Sequence, residues 1–172
     1  MEDIEQLTRI MASKQYIPFD YLDNGCEARA HEMAQILDKM CINSGKAFLS
    51  SSGINSLSYK GASWQYHVAP FVLVEDGGKV VPYIIDPSVS GKNAMTLEEW
   101  DDVIGTFHSR NLTVTRKYIF MRTDMSSDHN KYRRKDNIKK NLAFQYFGAS
   151  SSLRKFPDKF ISFLKLIIGD KY

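Results

Sequence analysis

The sequence predicts an α+β fold: a nucleophile-bearing helix packed on an antiparallel sheet, followed by C-terminal helices. Three observations carry this. After a chain break at Asp23-Asn24-Gly25, residues 25 to about 41 place apolar side chains at helical spacing. Residues 64–75 and 79–86 are rich in β-branched and aromatic residues and flank Asp76-Gly77-Gly78, a hairpin signal. Helical patterns return at about 136–147 and 157–168. Strands grouped together, rather than alternating with helices, indicate α+β architecture.

Taken in order, residues 1–12 pattern as a short helix with Ile4, Leu7, Ile10 and Met11 on one stripe. In the next helix the stripe is Met33, Ile36, Leu37 and Met40. Asn24 suits its N-cap, and Glu27, three residues on, completes a capping-box pair. Ala47-Phe48-Leu49 reads as a short strand, and Ser50 to about Ser63 as a polar loop. Pro70 and Pro82 fall inside the hairpin runs. Each removes a ladder donor, which implies a bulge or an edge position nearby. Thr96 with Glu99 forms a second capping box, opening a helix through about Ile104. Thr113 to Met121 is a further strand, and Asp124 to Lys140 a polar, basic surface stretch, mobile in its first half. Pro157 suits the first turn of the last helix.

A chain of 172 residues favours one domain, 1–172. With 43% hydrophobic and 25% charged residues it is neither disordered nor collagen-like. The longest apolar run, near Phe160 to Ile168, is broken by Lys165 and falls well short of the ~20 residues of a membrane span. The acidic start, Met1-Glu2-Asp3-Ile4-Glu5, is no secretory signal, though a leader upstream stays open. Cys26 and Cys41 are expected to be free thiols, since two cysteines make no disulfide framework. Charge is uneven: residues 1–104 carry 8 Lys/Arg against 15 Asp/Glu, and residues 105–172 carry 15 against 5. The basic C-terminal part therefore either meets something acidic or packs on the acidic part of its own chain. Lys131-Tyr132-Arg133-Arg134-Lys135 with Lys139 and Lys140 suits an acidic partner or an anionic membrane. No nucleic-acid-binding motif is present, so no specific nucleic acid is expected.

Cys26 falls in the first turn of its helix. The free N–H groups and the partial positive charge there favour a thiolate, the nucleophilic form, and can bind an oxyanion. The sequence-level expectation is therefore a thiol pKa below that of a free cysteine. The plain alternative is a buried structural cysteine. A cysteine nucleophile needs a base and the base an orienting group, and His67 and Asp86 are placed for these roles by the hairpin. If Asp76-Gly77 form the turn, His67 faces Asp86. If Gly77-Gly78 form it, His67 faces Ser88 and Asp86 is a diagonal neighbour on the same face. A one-residue shift caused by a proline would put the two on opposite faces. Trp64 and Tyr66 flank the base and either line a substrate cleft or belong to the core; alternation puts them on one face and His67 on the other. His31-Glu32-Met33-Ala34-Gln35 lacks the second histidine of a zinc helix, so no metal or other cofactor is expected. Cys41 reads as a helix-end residue, and His108 and His129 as surface residues.

Asp23-Asn24-Gly25-Cys26-Glu27-Ala28-Arg29-Ala30-His31 resembles the nucleophile segment of the bacterial protein glutaminases. Trp64-Gln65-Tyr66-His67-Val68-Ala69-Pro70 is similar to their histidine segment, and Ile84-Ile85-Asp86-Pro87-Ser88 to their aspartate segment. The resemblance covers about residues 16–104 as a catalytic core and leaves the basic part, about 105–172, without a counterpart. It implies a papain/transglutaminase-like core and hydrolysis of glutamine side-chain amides in protein substrates. Nucleophile, base and orienting group then fall on Cys26, His67 and Asp86. A secreted enzyme trimmed of its leader and an effector delivered into another cell both fit the family. A cysteine peptidase, a transglutaminase using the same three residues and a catalytically silent interaction module stay open as alternatives.

Overall fold

Two glycines set the register of the central sheet. Gly77 and Gly78 both hold positive φ, 56° and 78°, the backbone of a two-residue turn whose twist matches that of the strands it joins. The structure, a computed structural model, describes residues 2–51, 57–106 and 110–152. In chain order its elements are α1 (Glu2–Ala12), α2 (Cys26–Lys39), β1 (Gly45–Ser51), β2 (Leu57–Tyr59), β3 (Ala62–Trp64), β4 (Tyr66–Asp76), β5 (Lys79–Ile84), α3 (Pro87–Ser90), β6 (Met95–Thr96), α4 (Leu97–Val103), β7 (Gly105–Thr106), β8 (Arg110–Arg116), a 3-10 turn at Arg122–Asp124 and α5 (Arg134–Ser152). The expected helix at 157–168 and His108 lie outside the described residues.

The main sheet runs β6-β5-β4-β1-β8, with antiparallel neighbours throughout, and a small sheet runs β3-β2-β7. On one face α1 and α2 bury Ile4, Leu7, Met11, Met33 and Leu37 against Val72, Tyr83 and Ile85. On the other, Trp100 of α4 and Leu57 and Trp64 of the small sheet pack on Ala47, Leu49, Ala69 and Ile84. The small sheet corrects two expectations. The stretch from Ser50 to Ser63 holds β2 and the start of β3 rather than only a loop, and the strand expected from Trp64 onwards is broken at Gln65. Thr96 caps α4 with Glu99 in the expected box. The strand expected at 113–121 runs Arg110–Arg116 instead.

The hairpin pairs Asp76 with Lys79, Leu73 with Pro82 and Phe71 with Ile84, without a bulge. Ile85 N–H then donates to Pro70 O at 2.9 Å, and Pro70 has no N–H to return that bond. The ladder ends at that rung and β5 leaves the sheet, so that Asp86 becomes the N-cap of α3. Hydrogen-bonded rungs alternate. Pro82 therefore lies on a rung whose nitrogen points away from β4, towards the edge that the short β6 covers only at Tyr83 and Ile84.

At the start of α2 the capping differs from expectation. Gly25 is the N-cap, with φ 81° and no side-chain cap; Asn24 Oδ1 accepts from Gly25 N–H at 2.8 Å instead. Glu27 makes no capping box and is buried. The loop before the helix is held by Arg29, 2% exposed, whose Nη1 donates to Tyr21 O at 2.7 Å and Asn24 O at 2.8 Å. From outside, Phe147 of α5 stacks on Tyr21 with ring centroids 4.5 Å apart.

The stretch from Asp124 to Lys140 is tied down where a mobile surface was expected. Arg133 pairs with Asp124 at 2.5 Å and Asp136 at 2.6 Å, and Lys140 pairs with Glu32 on α2. Gln35 Nε2 donates to Asn137 Oδ1 at 2.7 Å, and Lys117 pairs with Asp38. Part of the basic C-terminal charge thus neutralises the acidic N-terminal part, whereas Lys131, Arg134 and Lys135 stay exposed.

A Cβ on Gly25 would run into the Phe147 ring, and its positive φ strains any other residue. Gly25→Ala should therefore lose about 1–3 kcal/mol of stability, read from the midpoint of urea unfolding. An unchanged midpoint would contradict this packing.

Candidate active site

The point where β5 leaves the sheet brings a carboxylate onto a histidine. His67, second residue of β4, and Asp86 are 1% and 3% exposed, and His67 Nε2 lies 2.7 Å from Asp86 Oδ2. The hairpin has the Gly77-Gly78 register, in which Asp86 was expected as a diagonal neighbour; the departing chain closes that gap. A second donor, Trp100 Nε1, reaches the same oxygen at 3.0 Å. Burial pushes the Asp86 carboxyl up, but the facing imidazole and the two hydrogen bonds outweigh it and hold the group below its ordinary value. Asp86 is therefore ionised near neutral pH and can only accept. His67 Nε2 must then carry the proton, which leaves Nδ1 with the lone pair in the neutral ring. Nδ1 is buried and has no hydrogen-bond partner among the described residues.

Two indoles hold the imidazole. Trp64 stacks on it at 4.6 Å between centroids, 19° from parallel, and Trp100 lies on it at 5.7 Å. Trp64 Nε1 donates to Leu22 O at 2.6 Å, which ties the indole to the loop before α2. The expected alternation does not hold, because Trp64 lies on His67. Trp64 belongs to the small sheet and Tyr66 to the main one, so the period of two does not run through Gln65. Trp100 was missed altogether; its only signal is an aromatic inside an otherwise acidic helix, Leu97-Glu98-Glu99-Trp100-Asp101-Asp102.

Cys26 opens α2 as expected and packs with Phe48, Val68 and Ile119. Val68 follows His67 on β4, so the thiol packs against the strand next to that histidine. It lines a cavity of about 200 Å³ with Asp23, Asn24, Glu27, Ser63, Trp64, Gln65 and Tyr66. A larger groove, about 990 Å³, runs between α1 and β8 and contains none of Cys26, His67 and Asp86.

The expected depression of the thiol pKa is overturned. Burial pushes the Cys26 thiol up, and the neighbouring Glu27 carboxylate adds to this, against the weaker opposing effects of Arg29 and the Val68 N–H. Cys26 Sγ–H donates to Glu27 Oε2 at 3.4 Å. The carboxylate of the next residue thus offsets the favourable field of the helix terminus. Cys41, in contrast, is exposed, beyond the end of α2 at φ 61°. His31 is buried against Lys46 Nζ at 3.3 Å, on the side of α2 that faces β1.

Trp100→Phe keeps most of the packing on His67 but deletes one bond to Asp86. Removing a hydrogen bond to a buried charge costs about 1.5–3 kcal/mol, read by urea unfolding at neutral pH. Asp86's own contribution is complete above its unfolded value, about pH 4, and is lost as the pH falls through the lower folded value. The variant should lose stability at a higher pH than wild type. Identical acid limbs would contradict the assignment.

The sequence profile of the family described as Glutaminase matches residues 2–104. No curated protein matches the chain. Among solved structures, the chain is similar to protein-glutaminase from Chryseobacterium proteolyticum, with 26% identity over 76% of this chain and 72% of that one and a TM-score of 0.61. A crystal structure of protein-glutaminase shares the fold at TM-score 0.69, with 24% identity over 86% of both chains. That of pro-protein-glutaminase does so at 0.69, with 24% identity over 85% of this chain and 56% of the other. The profile spans more than half of the sequence, and the antiparallel sheet with its flanking helices is the fold of those structures: the chain belongs to the glutaminase family.

Proposed function

We propose that this chain deamidates glutamine side chains in protein substrates, with Cys26 as nucleophile, His67 as base and Asp86 as its orienting group. The observation that carries the reading is the ordered imidazole: Nε2 engaged by Asp86 at 2.7 Å, and Nδ1 left available beside the strand residue on which Cys26 packs. Cavity size supports a side chain as substrate. About 200 Å³ lies below the roughly 300–1,000 Å³ of drug-sized ligand sites and suits a single side chain. Family membership and the likeness to protein-glutaminase support the amide.

In this mechanism His67 Nδ1 takes the Cys26 proton as sulfur attacks the side-chain carbonyl carbon of glutamine. The resulting oxyanion accepts from backbone N–H at the start of α2. The C–N bond breaks, the proton on Nδ1 goes to the leaving nitrogen and ammonia departs, leaving a thioester on Cys26. Water then gives a proton to Nδ1 as its oxygen attacks the thioester carbon; the C–S bond breaks, the Nδ1 proton returns to the Cys26 sulfur, and the glutamate side chain is released. Asp86 stays ionised throughout and keeps Nε2 protonated. Each event adds one negative charge to the substrate.

Ammonia released from a short glutamine peptide tests the reading. Cys26→Ala should abolish release. His67→Ala should be nearly as severe, because the imidazole serves as both base and acid, a role typically worth 10²–10⁴-fold. Asp86→Asn should keep the fold and lose activity steeply; the equivalent change in a serine-protease triad costs about 10⁴-fold. Peptide cleavage or crosslinking in place of ammonia would favour a peptidase or a transglutaminase. Wild-type activity in Cys26→Ala would end the proposal.

Lys131, Arg134 and Lys135 form an exposed basic patch suited to an acidic partner or an anionic membrane. Arg134→Ala with Lys135→Ala should leave hydrolysis of the short peptide unchanged and weaken only action on an acidic or membrane-bound substrate. A loss on the short peptide would place the patch in the catalytic machinery. Arg133 is unsuitable for this comparison because it is paired inside the fold.

A further inference from the structure

The proposed mechanism leaves a buried carboxylate of the cavity unused. Glu27 is 5% exposed, lines the cavity beside the nucleophile and accepts the Cys26 sulfhydryl at 3.4 Å. The thiol proton therefore points at a carboxylate and not at the imidazole, while His67 Nδ1 has no partner among the described residues.

We infer that Glu27 selects the primary amide: its carboxylate holds the Cys26 sulfhydryl in the free enzyme, and the –NH2 of a bound glutamine side chain takes that carboxylate over, freeing the sulfhydryl to turn to His67 Nδ1. This rests on the proposed role of Cys26 and extends it to specificity. An ionised carboxylate is acceptor-only, so it rewards a group that brings N–H donors. A primary amide brings two. The product brings none: its new carboxylate meets Glu27 as a like charge and is expelled. The same residue thus recognises substrate, sets the thiol free and disfavours the return of glutamate. The charged and titratable groups around the pair are Arg29 on α2, Asp23 on the loop before it, Tyr66 on β4 and Lys46 on β1. Of these, Asp23 reinforces the negative character of the cavity, whereas Arg29 and Lys46 oppose it. Glu27 is the carboxylate in direct contact with the thiol.

The test uses the full chain carrying Cys41→Ser, since Cys41 is an exposed thiol. Glu27→Gln keeps the shape and removes the charge. Reaction of Cys26 with methyl methanethiosulfonate is followed against pH, without turnover. The variant should react about tenfold faster or more near neutral pH, with its midpoint about one unit or more lower. With the glutamine peptide, KM should rise much more than kcat falls. The corresponding glutamate peptide should inhibit the variant and leave the parent almost unaffected. Glu27→Ala, which removes charge and bulk together, must show the same shifts if Glu27→Gln does not fold. An unchanged thiol profile, or an unchanged KM and product inhibition, overturns the inference. The thiol profile is read without substrate, so its failure is distinguishable from a failure of Cys26→Ala to abolish ammonia release.

Discussion

The contact between His67 and Asp86 is the constraint on which the rest of the site depends. It is a long-range contact made by local means. Gly77 and Gly78 set the register, Pro70 ends the ladder where β5 must leave, and the departing chain carries Asp86 onto the imidazole. A buried carboxylate tolerates such a position only when its oxygens are satisfied, and Trp100 brings a second donor to the oxygen that His67 engages. α4, the small sheet and the hairpin therefore converge on one group. Because Asp86 accepts at Nε2, it settles which nitrogen of His67 carries the proton in the neutral ring.

On the other side of the sheet, polar groups hold α2 in place. Arg29 clamps the loop before Cys26, and Lys140 and Asn137 of α5 hold Glu32 and Gln35. Between α2 and β1, His31 and Lys46 are buried together. Burial and the nearby cations push the His31 imidazole down to about 3, and burial pushes the Lys46 ammonium down to about 7. Lys46 Nζ also reaches Ile119 O at 2.5 Å. A helix tied at this many points presents its first residue, Cys26, at a fixed place. The acidic and basic parts of the chain meet in these same contacts.

Much of this was legible in the sequence, and the exceptions have physical reasons. The hairpin, α2 and the capping box of α4 rest on signals a few residues long, and each is present. His67 and Asp86 could be paired because a hairpin converts sequence separation into distance. Trp100 could not be found that way, since it reaches Asp86 through tertiary packing alone. The thiol environment was misjudged for a similar reason: a helix terminus is visible in sequence, whereas burial and the direction of the Glu27 carboxylate are not. β2 and β3 form a local hairpin about Lys60 and Gly61, both at positive φ, but each strand is only three residues long, too short for an alternating pattern to stand out in a Ser/Gly-rich stretch. Arg133 and Lys140 read as a solvated basic run because their carboxylate partners on α2, α5 and the 3-10 turn are supplied by the fold.

Covalent chemistry at Cys26 is tested most directly by the mass of the chain itself, quenched in acid during turnover of a glutamine peptide. The expected result is an adduct equal to the peptide less ammonia, carried on the segment that contains Cys26, reversed by hydroxylamine and absent from Cys26→Ala. Sustained ammonia release with no such adduct, and undiminished in Cys26→Ala, would contradict it.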